Sequence, residues 1–146
     1  MAVTAKLYGK AVLSAFAKGI DWVNDSIKVA LCTASYAPDQ DVHQYYSDLT
    51  NELSTGGGYT AGGIALANTT ATYAAATNTT KLDADDVSIE TATFDCRYAV
   101  IYDDTPELAA AKPLLGYVDF GETISPRNGP FKIEWSADGA ISFTVE

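Results

Sequence analysis

The sequence predicts a mostly β fold: about eight antiparallel strands in a sandwich or a partly closed barrel, with one N-terminal helix. Three observations carry that expectation. From Ile27 onward apolar and polar residues alternate with a period of two, the repeat of a strand with one covered face. Clusters of Gly, Asn, Asp and Pro break the alternation at the short intervals typical of all-β domains. Only the first segment shows a period near four. The 146 residues contain no repeat of fixed period and no linker between two composition regimes, so residues 1–146 read as one domain.

The elements follow in order. Lys6, Lys10, Ser14 and Lys18 recur every fourth residue, with Leu7, Ala11 and Ala15 in one row and Tyr8, Val12 and Phe16 in another. This predicts a helix with Thr4 as N-cap and Gly19 at C′, its apolar face laid on a sheet. The stretch Ala11 to Ala17 between two lysines imitates a signal-peptide core, but at the shortest end of that range, and is read as part of the fold. Asn24-Asp25-Ser26 then turns the chain into a strand in which Ile27, Val29 and Leu31 alternate with Lys28, Ala30 and Cys32. Ala34 to Asn51 reads as a long polar and aromatic loop with one helical turn around Val42 to Asp48. The glycines flanking Tyr59 make a flexible surface loop or a bulged strand entry. Short strands are expected at Ile64 to Leu66, Thr69 to Ala75, Thr79 to Leu82 and Val87 to Ile89.

The longest strand, Ala92 to Tyr102, places Phe94, Cys96, Tyr98, Val100 and Tyr102 on one face. Its second half, Ala99-Val100-Ile101, is apolar on both faces and needs cover on both sides, for which the N-terminal helix is the candidate. Leu114 to Phe120, Phe131 to Trp135 and Ile141 to Val145 complete the set. Asp138-Gly139 between the last two predicts a two-residue type I′ hairpin. The expected core is Phe94, Tyr98, Val100, Val118, Phe131, Ile133, Trp135, Ile141 and Phe143.

Nine Lys and Arg against 19 Asp and Glu give a net charge of −10, which argues against nucleic acid and against anionic membranes as partners. Cys32 and Cys96 stand far apart and in strands, so they read as buried thiols. His43 is the only histidine and sits beside no nucleophile motif. Asp83, Asp85 and Asp86, with Glu90 nearby, could face a hard cation, yet they lack the spacing of a calcium loop and read as a solvated turn. The Gly56–Gly63 stretch lacks the Lys-Ser/Thr ending of a phosphate loop. No catalytic residue, cofactor or metal ligand is therefore assigned, and the chain is expected not to be an enzyme. Tyr73, Tyr98, Tyr102 and Trp135 fall at alternating strand positions and read as core, whereas Tyr36, Tyr45, Tyr46 and Tyr59 fall in loops and are the candidate partner contacts.

Several stretches resemble a family of small bacteriophage virion structural proteins. They are Lys28-Val29-Ala30-Leu31-Cys32-Thr33 followed by Tyr36 to Asp41, Gly58-Tyr59-Thr60-Ala61-Gly62-Gly63, and Leu82 to Val87. Arg97 to Tyr102 and Leu115 to Gly121 continue the likeness, in order, to the C-terminal end. Ile89-Glu90, where that family would carry a tryptophan, and the Glu107-Leu108-Ala109 loop depart from it. The resemblance implies a capsid decoration or cement protein that binds the assembled head, with the major capsid protein as partner and self-association as an option. It implies a location in the virion after synthesis in the host cytoplasm, and it brings no catalytic residues. A tail-fibre or neck-appendage module that binds a receptor or glycan is the alternative.

Overall fold

Two strands with apolar residues on both faces lie at the centre of the fold, because only a doubly covered position hides such a sequence. They are β2 (Ile27–Cys32) and β7 (Cys96–Asp103), paired antiparallel with Ile27 opposite Asp103 and Cys32 opposite Tyr98. The computed structural model describes residues 2–146. Beyond β7 lie β8 (Leu114–Ile124) and then β1 (Thr4–Leu7); beyond β2 lies the short β3 (Ile64–Ala65), completing a five-stranded antiparallel sheet in the order β1-β8-β7-β2-β3. A second sheet sets β5 (Thr79–Asp83) between β4 (Thr70–Ala74) and β10 (Ile141–Thr144). A third pairs β6 (Val87–Thr93) with β9 (Arg127–Ile133), with register shifts between Ile89 and Thr93. The one α-helix among the described residues, α1, spans Ala11–Phe16.

Each face of the central strands has its own core. Val29, Leu31, Ala99 and Ile101 pack with Trp22, Tyr59, Val87, Phe131 and Ile133, so β6 and β9 lie over this face. The Trp22 indole donates to the carbonyls of Thr70 and Asp83 at 3.1 and 3.2 Å, which ties the three-stranded sheet to the same core. On the opposite face Ala30, Cys32, Val100 and Tyr102 meet Tyr8, Tyr36 and Leu114. Cover on both sides is thus realised, but the second cover is aromatic and comes largely from the loop after β2.

Three expectations are corrected. The strands divide among three sheets, each with open edges, so no barrel closes among the described residues. The N-terminal helix is shorter than its periodicity suggests: Thr4–Leu7 is a strand, with Thr4 opposite Asp119 and Leu7 opposite Gly116. The edge of β8 offers a hydrogen-bonded ladder that continues to the Tyr8 N–H on the Leu115 carbonyl at 3.0 Å, and a ladder outweighs the weak preference of a short isolated helix. Asp138-Gly139 does turn the chain, with the Gly139 N–H on the Ser136 carbonyl at 2.9 Å, but it joins no hairpin. Only Gly139 of the pair has positive φ, at 89°, whereas a type I′ turn needs both. β9 pairs with β6 and β10 with β5, so the turn carries the chain between sheets. A side chain at position 139 would come within 2.6 Å of the Leu82 carbonyl, so glycine permits this approach to β5.

Of the expected core, Tyr98, Val100, Phe131 and Ile133 are buried, and Phe94, Val118, Trp135 and Ile141 are half-buried. Phe143 is 38% exposed because it lies on the edge strand β10. Cys32 and Cys96 are buried free thiols, and burial pushes both up to about 12, so neither reacts as a thiolate at neutral pH.

At the end of β7 the fold buries a carboxyl. Asp103 is fully buried; its Oδ1 accepts from the Thr105 N–H at 2.9 Å while Oδ2 has no partner. Burial, and then Asp25 beside it, push this carboxyl up to about 6. A raised folded-state value means that the native chain holds this proton more tightly than the unfolded chain. The stability it contributes is therefore complete below roughly pH 4 and is lost as pH rises through about 6. Asp103→Asn keeps the acceptor for Thr105 and puts an amide donor toward Asp25. Differential scanning calorimetry should show a higher melting temperature for D103N at pH 7.5, by about 1–3 kcal/mol of stability, and no gain at pH 4; equal gains at both pH values would contradict the assignment.

Candidate functional site

The four loop tyrosines divide according to their surroundings. Tyr36 is 1% exposed and Tyr59 2%, so neither ring is open to a partner; both hold loops to the sheet. The Asp39 N–H can only donate to His43 Nδ1 (3.3 Å), so that nitrogen accepts; Tyr36 then donates to it at 3.0 Å and accepts from Tyr8 at 2.7 Å. The Tyr36 ring stacks on His43 and meets Tyr98 edge-on at 5.6 Å. Tyr59 donates to Glu52 Oε1 at 2.7 Å and accepts from the Leu31 N–H at 3.1 Å. Tyr46, half-buried, donates to Glu52 Oε2 and stacks on Tyr102 with centroids 4.6 Å apart. Tyr45 is half-buried and starts a 3₁₀ turn closed by the Asp48 carboxylate, which accepts from the Tyr45 N–H at 2.9 Å. Burial pushes the Tyr36 hydroxyl up to about 12 and those of Tyr8, Tyr46, Tyr59 and Tyr102 higher, so all stay neutral and serve as structural hydrogen-bonding groups.

The acidic turn is likewise spoken for. Asp83 lies 3.6 Å from Lys81, Asp85 accepts from Asn68 at 2.6 Å, and Asp86 accepts from the Trp135 N–H at 3.0 Å while facing Lys132 at 3.5 Å. Among the described residues no three His, Cys, Asp or Glu side chains converge as a metal cage. Among them, too, no helix is long and apolar enough to cross a membrane.

The surface feature that the sequence pattern did not disclose starts at α1. Ser14, the one polar residue of this helix, is buried, while Phe16 is 87% and Leu13 62% exposed. The helix thus turns apolar side chains outward, and the legible signal was its composition, apolar all round rather than on one face. From α1 a groove runs between β1 and β10. Three cavities of about 400, 250 and 410 Å³ follow one another along it. The first and second share Leu7 and Ile141; the second and third share Ala5, Val118 and Ala140. At the α1 end the walls are Val12, Phe16, Trp22, Leu115 and Phe143, and at the far end Val3, Phe120 and Trp135. The α1 end of the groove is lined almost wholly by apolar side chains, whereas Lys6 and Ser142 line its middle and Lys132, Glu134 and Ser136 its far end.

The charge pattern singles out the same region. Of the nine cationic side chains, Lys28, Lys81, Arg97, Lys112, Arg127 and Lys132 are ion-paired. The other three, Lys6, Lys10 and Lys18, face no carboxylate within ion-pair distance among the described residues, and all belong to the segment that carries β1 and α1. Comparison with family models, with curated proteins and with solved structures returns no match.

Glu52 gathers Tyr46, Tyr59 and the Gly62 N–H (2.7 Å) on one carboxylate. Glu52→Ala should lower unfolding free energy in urea by about 1–3 kcal/mol, since it strands buried donors; a loss below about 0.5 kcal/mol, the range of ordinary surface substitutions, would show that the three contacts are dispensable.

Proposed function

We propose that this chain is a bacteriophage virion structural protein, most concretely a decoration protein that docks on the assembled head. The observation that supports the reading is the outward apolar face of α1 continuous with the groove: Phe16, at 87%, is the most exposed of the large apolar side chains, Leu13 stands beside it in solvent, and Val12 and Phe16 line the groove's end. Exposed apolar patches beside grooves are characteristic of protein-docking surfaces. The family resemblance of the stretches from Lys28 to Gly121 supplies the particle context. Docking would rest on aromatic and aliphatic anchors, because an acidic protein gains little from long-range attraction to another acidic surface.

The same proposal takes the fold as a β-sandwich. The five-stranded sheet forms one layer, and β6-β9 with β4-β5-β10 forms the other, in keeping with the core that Val29, Leu31, Phe131 and Ile133 share. The major capsid protein would be the partner.

The test is to add purified protein to particles lacking it and to count bound copies by cryo-electron microscopy. Occupancy at symmetric head-lattice sites is expected, with Leu13→Asp plus Phe16→Asp reducing bound copies at least tenfold while the far-ultraviolet circular dichroism is unchanged. Density confined to the neck or fibres would transfer the assignment to an appendage, and unimpaired binding by the double variant would remove α1 from the interface.

A further inference from the structure

We propose that the turn at residues 39–43 is an acid-sensitive clasp on the junction between β1 and α1, opened when His43 takes a proton, so that acid loosens the α1 docking face. What the clasp controls rests on the docking reading above. The turn grips the connection between the two elements at three points. The Gln40 side-chain amide donates to the Leu7 carbonyl at 2.6 Å, the Gly9 N–H donates to the Gln40 carbonyl at 2.9 Å, and Lys10 Nζ donates to the Val42 carbonyl at 3.3 Å. A side chain at position 9 would stand 3.1 Å from that Gln40 carbonyl, so the two segments lie close together.

His43 closes the turn. Its N–H donates to the Asp39 carbonyl at 3.0 Å, and its Nδ1 accepts from the Asp39 N–H at 3.3 Å and from the Tyr36 hydroxyl at 3.0 Å. Tyr36 in turn accepts from Tyr8 at 2.7 Å, and both tyrosines are buried. This direction of donation holds only while Nδ1 keeps its lone pair. A proton there faces the Asp39 N–H, donor against donor, and bonds to Tyr36 only if the hydroxyl chain reverses. Tyr36 then donates to Tyr8, whose own hydroxyl proton has no other acceptor among the described residues. Stranding a buried donor incurs its full desolvation cost, so a proton on His43 favours the open turn.

Charged groups reach the ring from both sides. Lys10, next to α1, disfavours a second positive charge, whereas the Asp48 carboxylate, which interacts with both His43 and Lys10, favours one. Asp39 Oδ1 is taken by the Asp41 and Val42 N–H groups, Asp48 Oδ2 by those of Gln44 and Tyr45, and Asp41 is exposed. From the sheet come neutral groups, Cys32 of β2, Tyr98 of β7 and Tyr117 of β8, packed with Tyr8 and Tyr36. With opposite charges on either side, the reversal of the hydroxyl chain decides the outcome.

The test is amide hydrogen exchange of the full chain, read by nuclear magnetic resonance at pH 7.5 and pH 5.0 and corrected for the intrinsic chemical rate. The Gly9 N–H reports the clasp, the Ser14 N–H on the Lys10 carbonyl (2.9 Å) reports α1, and amides of β2 and β7 are the reference. Protection at Gly9 and Ser14 should fall at least tenfold at pH 5.0 while the reference amides hold. The fall should follow the titration of the imidazole, which the single histidine makes unambiguous, with Nδ1 unprotonated at pH 7.5 by its nitrogen shift. Asp103 also takes a proton in this window, but through it acid stabilises the native chain, so the two effects have opposite signs. His43→Asn keeps an acceptor near the Nδ1 position and takes no proton; it should hold Gly9 protection at both pH values. An unchanged Gly9, a fall shared by β2 and β7, an equal fall in H43N, or a midpoint away from the imidazole titration would overturn the proposal, and the last of these needs only the native chain. On particles, the native chain should attach at least tenfold less at pH 5.0 and H43N equally at both. Equal attachment of the native chain despite lost Gly9 protection would overturn control of α1 by the clasp and leave the decoration reading standing. Lost Gly9 protection without attachment at either pH would instead uphold the clasp and remove the decoration reading.

Discussion

A sheet whose central strands are apolar on both faces cannot face water on either, and the remainder of this molecule is arranged around that constraint. β2 and β7 place Val29, Leu31, Ala99 and Ile101 on one side and Ala30, Cys32, Val100 and Tyr102 on the other, all fully or nearly fully buried. Fully burying a large aliphatic side chain contributes about 1.5–3 kcal/mol before entropy is counted, so leaving one face open would cancel a large part of a marginal stability. The aliphatic face is met by β6 and β9. The other face adjoins no further sheet, so loop residues must cover it.

That requirement is met by Tyr8, Tyr36 and Tyr46, which stand outside the strands and pack on this face, while Tyr59 seals its loop onto the opposite one. A loop carries backbone and side-chain polar groups that resist burial, and tyrosine brings a large apolar ring together with one hydroxyl that can be satisfied locally. Tyr8, Tyr36 and His43 form one hydrogen-bonded chain, and Tyr46 and Tyr59 converge on Glu52. Glu52 concentrates charge-assisted bonds on one carboxylate and closes the segment around Gly62 against the sheet. The amphipathic character that suits these aromatic residues to binding is the same one that lets them seal a loop onto a sheet. Two opposing uses of one chemistry are separated only by what stands next to the ring.

The edge strands carry the consequence of an open architecture. β1 and β10 each pair on one side only, and the groove between them, continued by the outward apolar face of α1, is where the molecule leaves apolar surface and backbone groups unsatisfied together. The three lysines without carboxylate partners among the described residues lie on the same segment. Stability alone would favour covering that region.

Much of the β character was legible in the order of residues. The alternation at β2, β7, β8 and β9, the doubly apolar end of β7, the buried cysteines and the turn at Gly139 all follow from local periodicity and turn chemistry, which act within a few residues. What the sequence could not determine is pairing. Thr4–Leu7 has a helical period yet becomes a strand because β8 presents an edge, and the strands flanking Asp138-Gly139 belong to different sheets because β5 and β6 offer them better partners. The candidate site escaped for the same reason: a groove between two strand edges, and the burial of Tyr36 and Tyr59, exist only once distant segments meet. Local sequence sets which face of an element is apolar, whereas contacts across dozens of residues decide what covers it and what is left exposed.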